Sequence, residues 1–132
     1  MERRDFLKDK IEQVGRVLGK MIANFMGAKS QGNTAQGIEI SNQYLQTELD
    51  IDIDQILKLE KEDLKSYLTE RNLTAEHLET LVSYLIELGD YHQDQQYYQK
   101  AIILNEIADE ISNTLSLMRM GVTEQIKMKM NQ

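Results

Sequence analysis

The chain holds 132 residues with 15 Lys and Arg against 22 Asp and Glu, a formal charge of −7, and it contains no cysteine, proline or tryptophan. One domain's worth of chain buries about two-thirds of its unfolded surface in a core of its own, and the missing cysteines exclude disulfides, thiolate metal sites and a cysteine nucleophile. The strongest helix breaker is absent from the whole length, so a single all-α domain over residues 1–132 is the expectation.

The first predicted helix runs from about Arg4 to Gly27, where Phe6, Leu7, Ile11, Val14, Leu18, Met21, Ile22 and Phe25 recur at steps of three and four. Asp5, Asp9, Glu12, Gln13, Arg16 and Lys20 fall on the other side. Gly15, Gly19, Ala23 and Gly27 follow one border at steps of four. Glycine costs about 1 kcal/mol against alanine inside a helix, so the stripe predicts close approach by a neighbour. Two neighbours fit: a following helix nesting through Ile38, Ser41 and Leu45, or a second chain in a homodimer. A GxxxG signal is diagnostic only inside lipid and does not choose between them.

Residues 1–29 carry a net +3, which leaves about −10 on the remainder. A body of that sign repels nucleic-acid phosphates, and no basic stripe with interleaved aromatics follows the first helix. Acids mixed into the N-terminal charges and Arg16, Lys20 and Asn24 cutting the apolar run argue against a signal peptide. No stretch approaches the roughly 18 apolar residues that cross a bilayer, and the protein is expected to be cytoplasmic.

Ser30–Gly37 reads as a loop by composition. A second helix from about Thr34 to Leu49 carries Ile38, Ile40, Ser41, Tyr44, Leu45 and Leu49. Asp54 is expected to cap a short helix with Ile56, Leu57 and Leu59, and Lys61–Tyr67 to form another with Leu64 and Leu68 inward. Thr74 caps a helix over Ala75–Leu88, which Gly89 is expected to end in the left-handed conformation. A long last helix begins near Tyr91. In it Tyr97, Ala101, Leu104, Ala108, Ile111, Leu115, Met118 and Val122 alternate steps of four and three, a heptad seam. The seam either lies on the rest of the domain or pairs between chains through Leu104, Ile111, Leu115 and Met118. Gly121 breaks it, leaving residues 121–132 as a tail.

Chemistry-bearing patterns are sparse. Asp50, Asp52 and Asp54 resemble the head of a calcium loop, but Gln55 and Lys61 stand where its Gly and Glu belong. His77 and His92 are the only histidines, and neither belongs to a zincin or di-iron helix motif. The glycine-rich nucleotide cradles are missing. Tyr84, Tyr91, Tyr97 and Tyr98 read as packing residues. No enzyme, metal or cofactor is expected.

The segment LGDYHQDQQYYQKAIIL, Leu88–Leu104, resembles the second half of a tetratricopeptide repeat, in which a Gly-Asp-Tyr turn leads into a helix ending Tyr-Tyr-x-Lys-Ala. Leu78, Leu81, Val82 and Leu85 match the packing positions of its first half, while Asp94 stands where the family has a small residue. QGNTAQGIEISNQYL echoes the pattern with Gly37 and Ser41 as small packing positions, but the two glycine turns, Gly32 and Gly89, are too far apart for a tandem array. The resemblance implies a first helical hairpin over 1–49, a short-helix insertion over 50–73 and a repeat-like hairpin over 74–120. The whole chain also resembles a bacterial family of helical domains to which no activity is assigned. Such hairpins imply a protein-interaction module. The family's groove positions fall on Glu76, Glu79, Ser83, Ile86 and Glu87, an acidic set suited to a basic protein or peptide partner. A self-associating structural protein is the alternative, through the glycine stripe or the heptad seam. Peripheral membrane attachment by the first helix is the third reading.

Overall fold

The computed structural model describes residues 3–132, and they fold as seven helices without a strand: α1 (Arg3–Ser30), α2 (Thr34–Leu49), α3 (Ile53–Lys58), α4 (Lys61–Glu70), α5 (Ala75–His92), α6 (Gln95–Ser112) and α7 (Leu117–Met130). Met1 and Glu2, the start of the expected first hairpin, lie outside the described residues. The all-α class expected from the proline-free, helically periodic sequence is what is observed.

Two antiparallel hairpins frame the molecule, α1 with α2 and α5 with α6. They join through α1 against α5, running side by side in the same direction, with Gly15 near His77, Phe25 on Tyr84 and Lys29 on Glu87. The core follows from the helical periods. Leu18, Met21 and Phe25 of α1, Leu45 of α2, Leu78, Leu81 and Leu85 of α5 and Leu104 and Ile107 of α6 are fully or almost fully buried. At its centre the rings of Phe25 and Tyr84 meet edge to face at 5.4 Å. The buried Tyr84 hydroxyl donates to Asn42 Oδ1 at 2.6 Å, which satisfies its polar end. α3 and α4 pack on α6, where Lys61 and Lys65 reach Glu110 at 2.6 and 3.2 Å.

Several local expectations are corrected. Asp52, not Asp54, caps α3: its extended backbone suits the cap, and its side chain accepts the Asp54 N–H at 2.9 Å. Gly89 does not end α5, because the helix continues to His92 and stops at Gln93, whose φ is +52°. Gly89 has a different task, since a Cβ there would sit 2.7 Å from the Tyr98 ring and close the α5–α6 approach. Asp94 needs no small replacement, because it caps α6 and accepts the Gln96 N–H at 3.0 Å.

The long last helix is in fact two. Asn113 turns left-handed at φ +53°, and Ser116 restarts the chain as the cap of α7. The heptad seam is therefore interrupted: Leu104 is buried and Ile111 is partly buried, but Leu115 and Met118 are 79% and 73% exposed. The glycine stripe is corrected as well. Gly19, Ala23 and Gly27 face solvent, and among the described residues nothing lies within 4 Å of a Cβ built on Gly19 or Gly27. Close approach between α1 and α2 is secured from the other side by Gly37, where an added Cβ would meet Ala28 Cβ at 2.8 Å, and by buried Ser41.

Candidate functional site

The first turns of α1 overhang the body. Every residue from Asp5 to Gln13 is exposed, and burial begins at Val14. Because α1 and α5 run in the same direction, this overhang projects past the N-terminus of α5. The C-terminus of α6 and the start of α7 lie at that same end. A cleft of about 730 Å³ opens there. Ile11 forms one wall, Leu73 and Ala75 another, and Ile111, Thr114 and Ser116 a third. Leu7 continues the Ile11 row outward, Phe6 is exposed farther round the same turn with the Lys10 ammonium 5.4 Å over its ring, and Leu115, Leu117 and Met118 are exposed next to Thr114 and Ser116 in the chain. The other exposed large apolar side chains are Met26 farther along α1, Ile40 on α2, Tyr91 on α5, and Met120 and Met128 on α7. A concentration of this kind marks interaction surfaces, whereas single exposed apolar residues are ordinary.

The back of the cleft is an arginine hub. Arg119 of α7 is buried; its Nε donates to Asp109 Oδ1 at 2.7 Å and its Nη1 to Glu79 Oε2 at 3.1 Å. Nη2 donates to the Thr114 carbonyl at 2.9 Å and to Ser112 Oγ at 3.3 Å. The planar guanidinium serves four partners at once, which a lysine cannot do. Beside it, Asn105 Nδ2 donates to Thr123 Oγ1 at 3.0 Å and fixes the middle of α7 on α6. The hub holds two carboxylates on one cation, and Glu76 on the cleft wall adds a third acid, so the cleft keeps an acidic balance.

His77 braces the hinge between the overhang and α5. Its Nδ1 accepts the Thr74 N–H at 3.0 Å, the side-chain half of a capping box at the start of α5. Accepting at Nδ1 leaves the proton of the neutral ring on Nε2, the edge that faces α1 beside Gly15 and the Ile11 carbonyl. Burial lowers the His77 pKa below 6.5, with the Glu76 charge and the Ile11 carbonyl working partly against it.

Of the acidic groove positions implied by resemblance, the cleft unites Glu76 and Glu79, and it adds Ile111 from the seam. Ser83 is exposed on α5 outside the cleft, Ile86 packs against the core, and Glu87 is held by Lys29 at 2.6 Å. With Glu79 on Arg119 and Glu87 on Lys29, only Glu76 of the three acids is without an ion pair among the described residues. The row is thus no continuous acidic groove. Gly15 lies near the hinge, and Gly19, Ala23 and Gly27 lie on open α1 surface away from the cleft. Arg119 and His77 were not legible as site residues. The available signal was the turn cluster Ser112-Asn113-Thr114 followed by Ser116, a helix stop and restart inside an otherwise unbroken heptad.

Among the described residues, no group of three or more His, Asp or Glu side chains could hold a metal ion, and no helix is long and apolar enough to cross a membrane. Compared with known proteins, the chain matches no family model, no curated protein and no solved structure.

Proposed function

We propose that the protein is a non-enzymatic interaction module whose docking site is the cleft under the α1 overhang. The observation that carries the reading is the gathering of Phe6, Leu7, Ile11, Leu115, Leu117 and Met118 at one end of a domain whose core is otherwise closed. Two side-by-side hairpins with their first helices parallel support the tetratricopeptide-like reading, and Gly37 and Gly89 at the tight helix approaches play the part of that family's small packing residues. Such hairpins present helical segments of a partner with a groove. Here the groove floor is apolar with an acidic border at Glu76, which suits an amphipathic partner carrying basic residues. The proposed setting is a bacterial cytoplasm, where a module of this kind works by assembly.

Capture from a native lysate by the full chain tests the reading. The variant Leu7→Glu, Leu117→Glu changes two exposed cleft-side positions and should lose the proteins that the parent retains, with helicity and melting temperature unchanged. Identical capture by parent and variant would remove the cleft from the account.

A further inference from the structure

The two apolar patches that border the cleft complement each other across two copies of the chain. The overhang carries the first. Leu7 and Ile11 precede Val14 and Leu18 at steps of four and three, so they extend the row that packs in the core out to the rim, where Leu7 is 47% and Ile11 36% exposed. At about 100° per residue, Lys8 and Lys10 flank this row, while Asp5, Asp9 and Glu12 fall on the opposite half. The overhang therefore shows an apolar row with a basic border. The second patch is the α6–α7 junction. Leu115 and Leu117 stand out at 79% and 84% exposure, with Met118 next to them. Its surroundings are acidic: Glu76 is exposed, and Glu79 and Asp109 share the single charge of Arg119.

Both patches lie at one end of the molecule, on opposite sides of one cleft. A twofold axis across that end brings the overhang of each copy onto the junction of the other. One rotation makes two identical contacts, each apolar against apolar and basic border against acidic border. Isologous pairing is the commonest way for a chain to close on itself.

We infer that the occupant of the cleft region is a second copy of this chain, docked end to end through reciprocal contacts between the α1 overhang and the α6–α7 junction. This deepens the interaction reading given above and rests on it. The glycine stripe takes no part, because Gly19, Ala23 and Gly27 lie farther along α1 on open surface.

The test is solution mass by light scattering over a wide range of concentration, with charge-reversed chains. The parent should approach twice its 15.3 kDa. Lys8→Glu, Lys10→Glu sets acid against acid in both contacts, and Glu76→Lys sets base against base. Each should have the mass of one chain when alone, with helicity and melting temperature preserved. Mixed in equal amounts, the two should regain the doubled mass, because both contacts then join opposite charges. A parent that keeps the mass of one chain overturns the inference; cleft-dependent capture of a different protein would then leave the interaction reading standing alone. A doubled mass that survives Leu7→Glu, Leu117→Glu, or a mixture that fails to recover, also overturns it, by placing the contact elsewhere.

Discussion

A histidine at the third position of α5 accepts the backbone N–H of Thr74 and borders α1 at Gly15, so its protonation state is tied to helix start and helix packing together. A proton on Nδ1 would face that N–H, donor against donor. The folded-state pKa is lowered below 6.5 by burial, so the unfolded chain binds the proton more tightly. The stabilising contribution is therefore fully present above pH 6.5 and is lost as pH falls below it toward the folded-state value. Thermal melts should show lower stability at pH 5 than at pH 7.5. His77→Gln, which keeps an N3 acceptor for the capping box, should remove the part of that difference due to His77; an undiminished difference would assign the pH effect to other groups. Glycine positions make a second pair of outcomes. Gly37→Ala puts a Cβ 2.8 Å from Ala28, and overpacking of this kind costs about 1 to 3 kcal/mol. Gly19→Ala meets no neighbour among the described residues and should raise stability by up to about 1 kcal/mol, the helix-propensity difference. Urea unfolding of both variants checks the ranking, and the reverse order would contradict the packing described. The small residues were visible in the sequence, but spacing alone could not say which of two neighbouring helices supplies the close approach. α1 carries the longer stripe, whereas Gly37 in α2 makes the contact.

α7 is the element whose place owes most to polar groups. Its buried side chains are Arg119 and Ile126, and Arg119 bonds to Glu79 of α5 as well as to Asp109 of α6. Arg119→Met would strip the cation from two partly buried carboxylates, and breaking a buried pair from one side costs about 3 to 5 kcal/mol, scaled down here by the partial exposure of both acids. Amide exchange should quicken over Leu117–Met130 while α1 and α5 keep their protection. Arg119→Lys should restore little of it, because an ammonium cannot span four acceptors in the fork geometry. Uniform protection across α7 in Arg119→Met would show that Ile126 and its apolar neighbours hold the helix without the hub. The helices themselves were readable from their periods, and the α2 bounds match the structure to the residue. The break at residues 113–116 was not, because the 4-3 alternation of apolar residues continues across it. Apolar spacing reports which residues share a face if the helix runs on, and it is blind to a left-handed Asn that ends the run.

At the scale of the whole molecule, two hairpins, two short helices and α7 close one core, and a cluster of exposed apolar side chains is left at one end. Residues 1–29 carry +3 and the remainder −10, but the overhang is not itself net basic: Asp5, Asp9 and Glu12 outnumber Lys8 and Lys10, and it is the placing of the two lysines beside the apolar row that sets them at the end that Glu76, Glu79 and Asp109 make acidic. The charge split was legible from composition, but its meeting point was not, since it requires α1 to run beside α5 in the same direction and α6 to return to that end. The acidic row expected along α5 also dissolved at this scale, because Lys29 and Arg119 arrive from distant parts of the chain to pair with Glu87 and Glu79. The central claim, that contacts are made at the overhang end, is tested most directly by photo-crosslinking with a photoreactive phenylalanine analogue at position 6, compared with the same group at position 23. Adducts should form from position 6 and not from position 23, and in a self-adduct the linked residues should lie in 114–120. Adducts formed from position 23, with none from position 6, would contradict the claim and move the contact surface to the glycine face of α1.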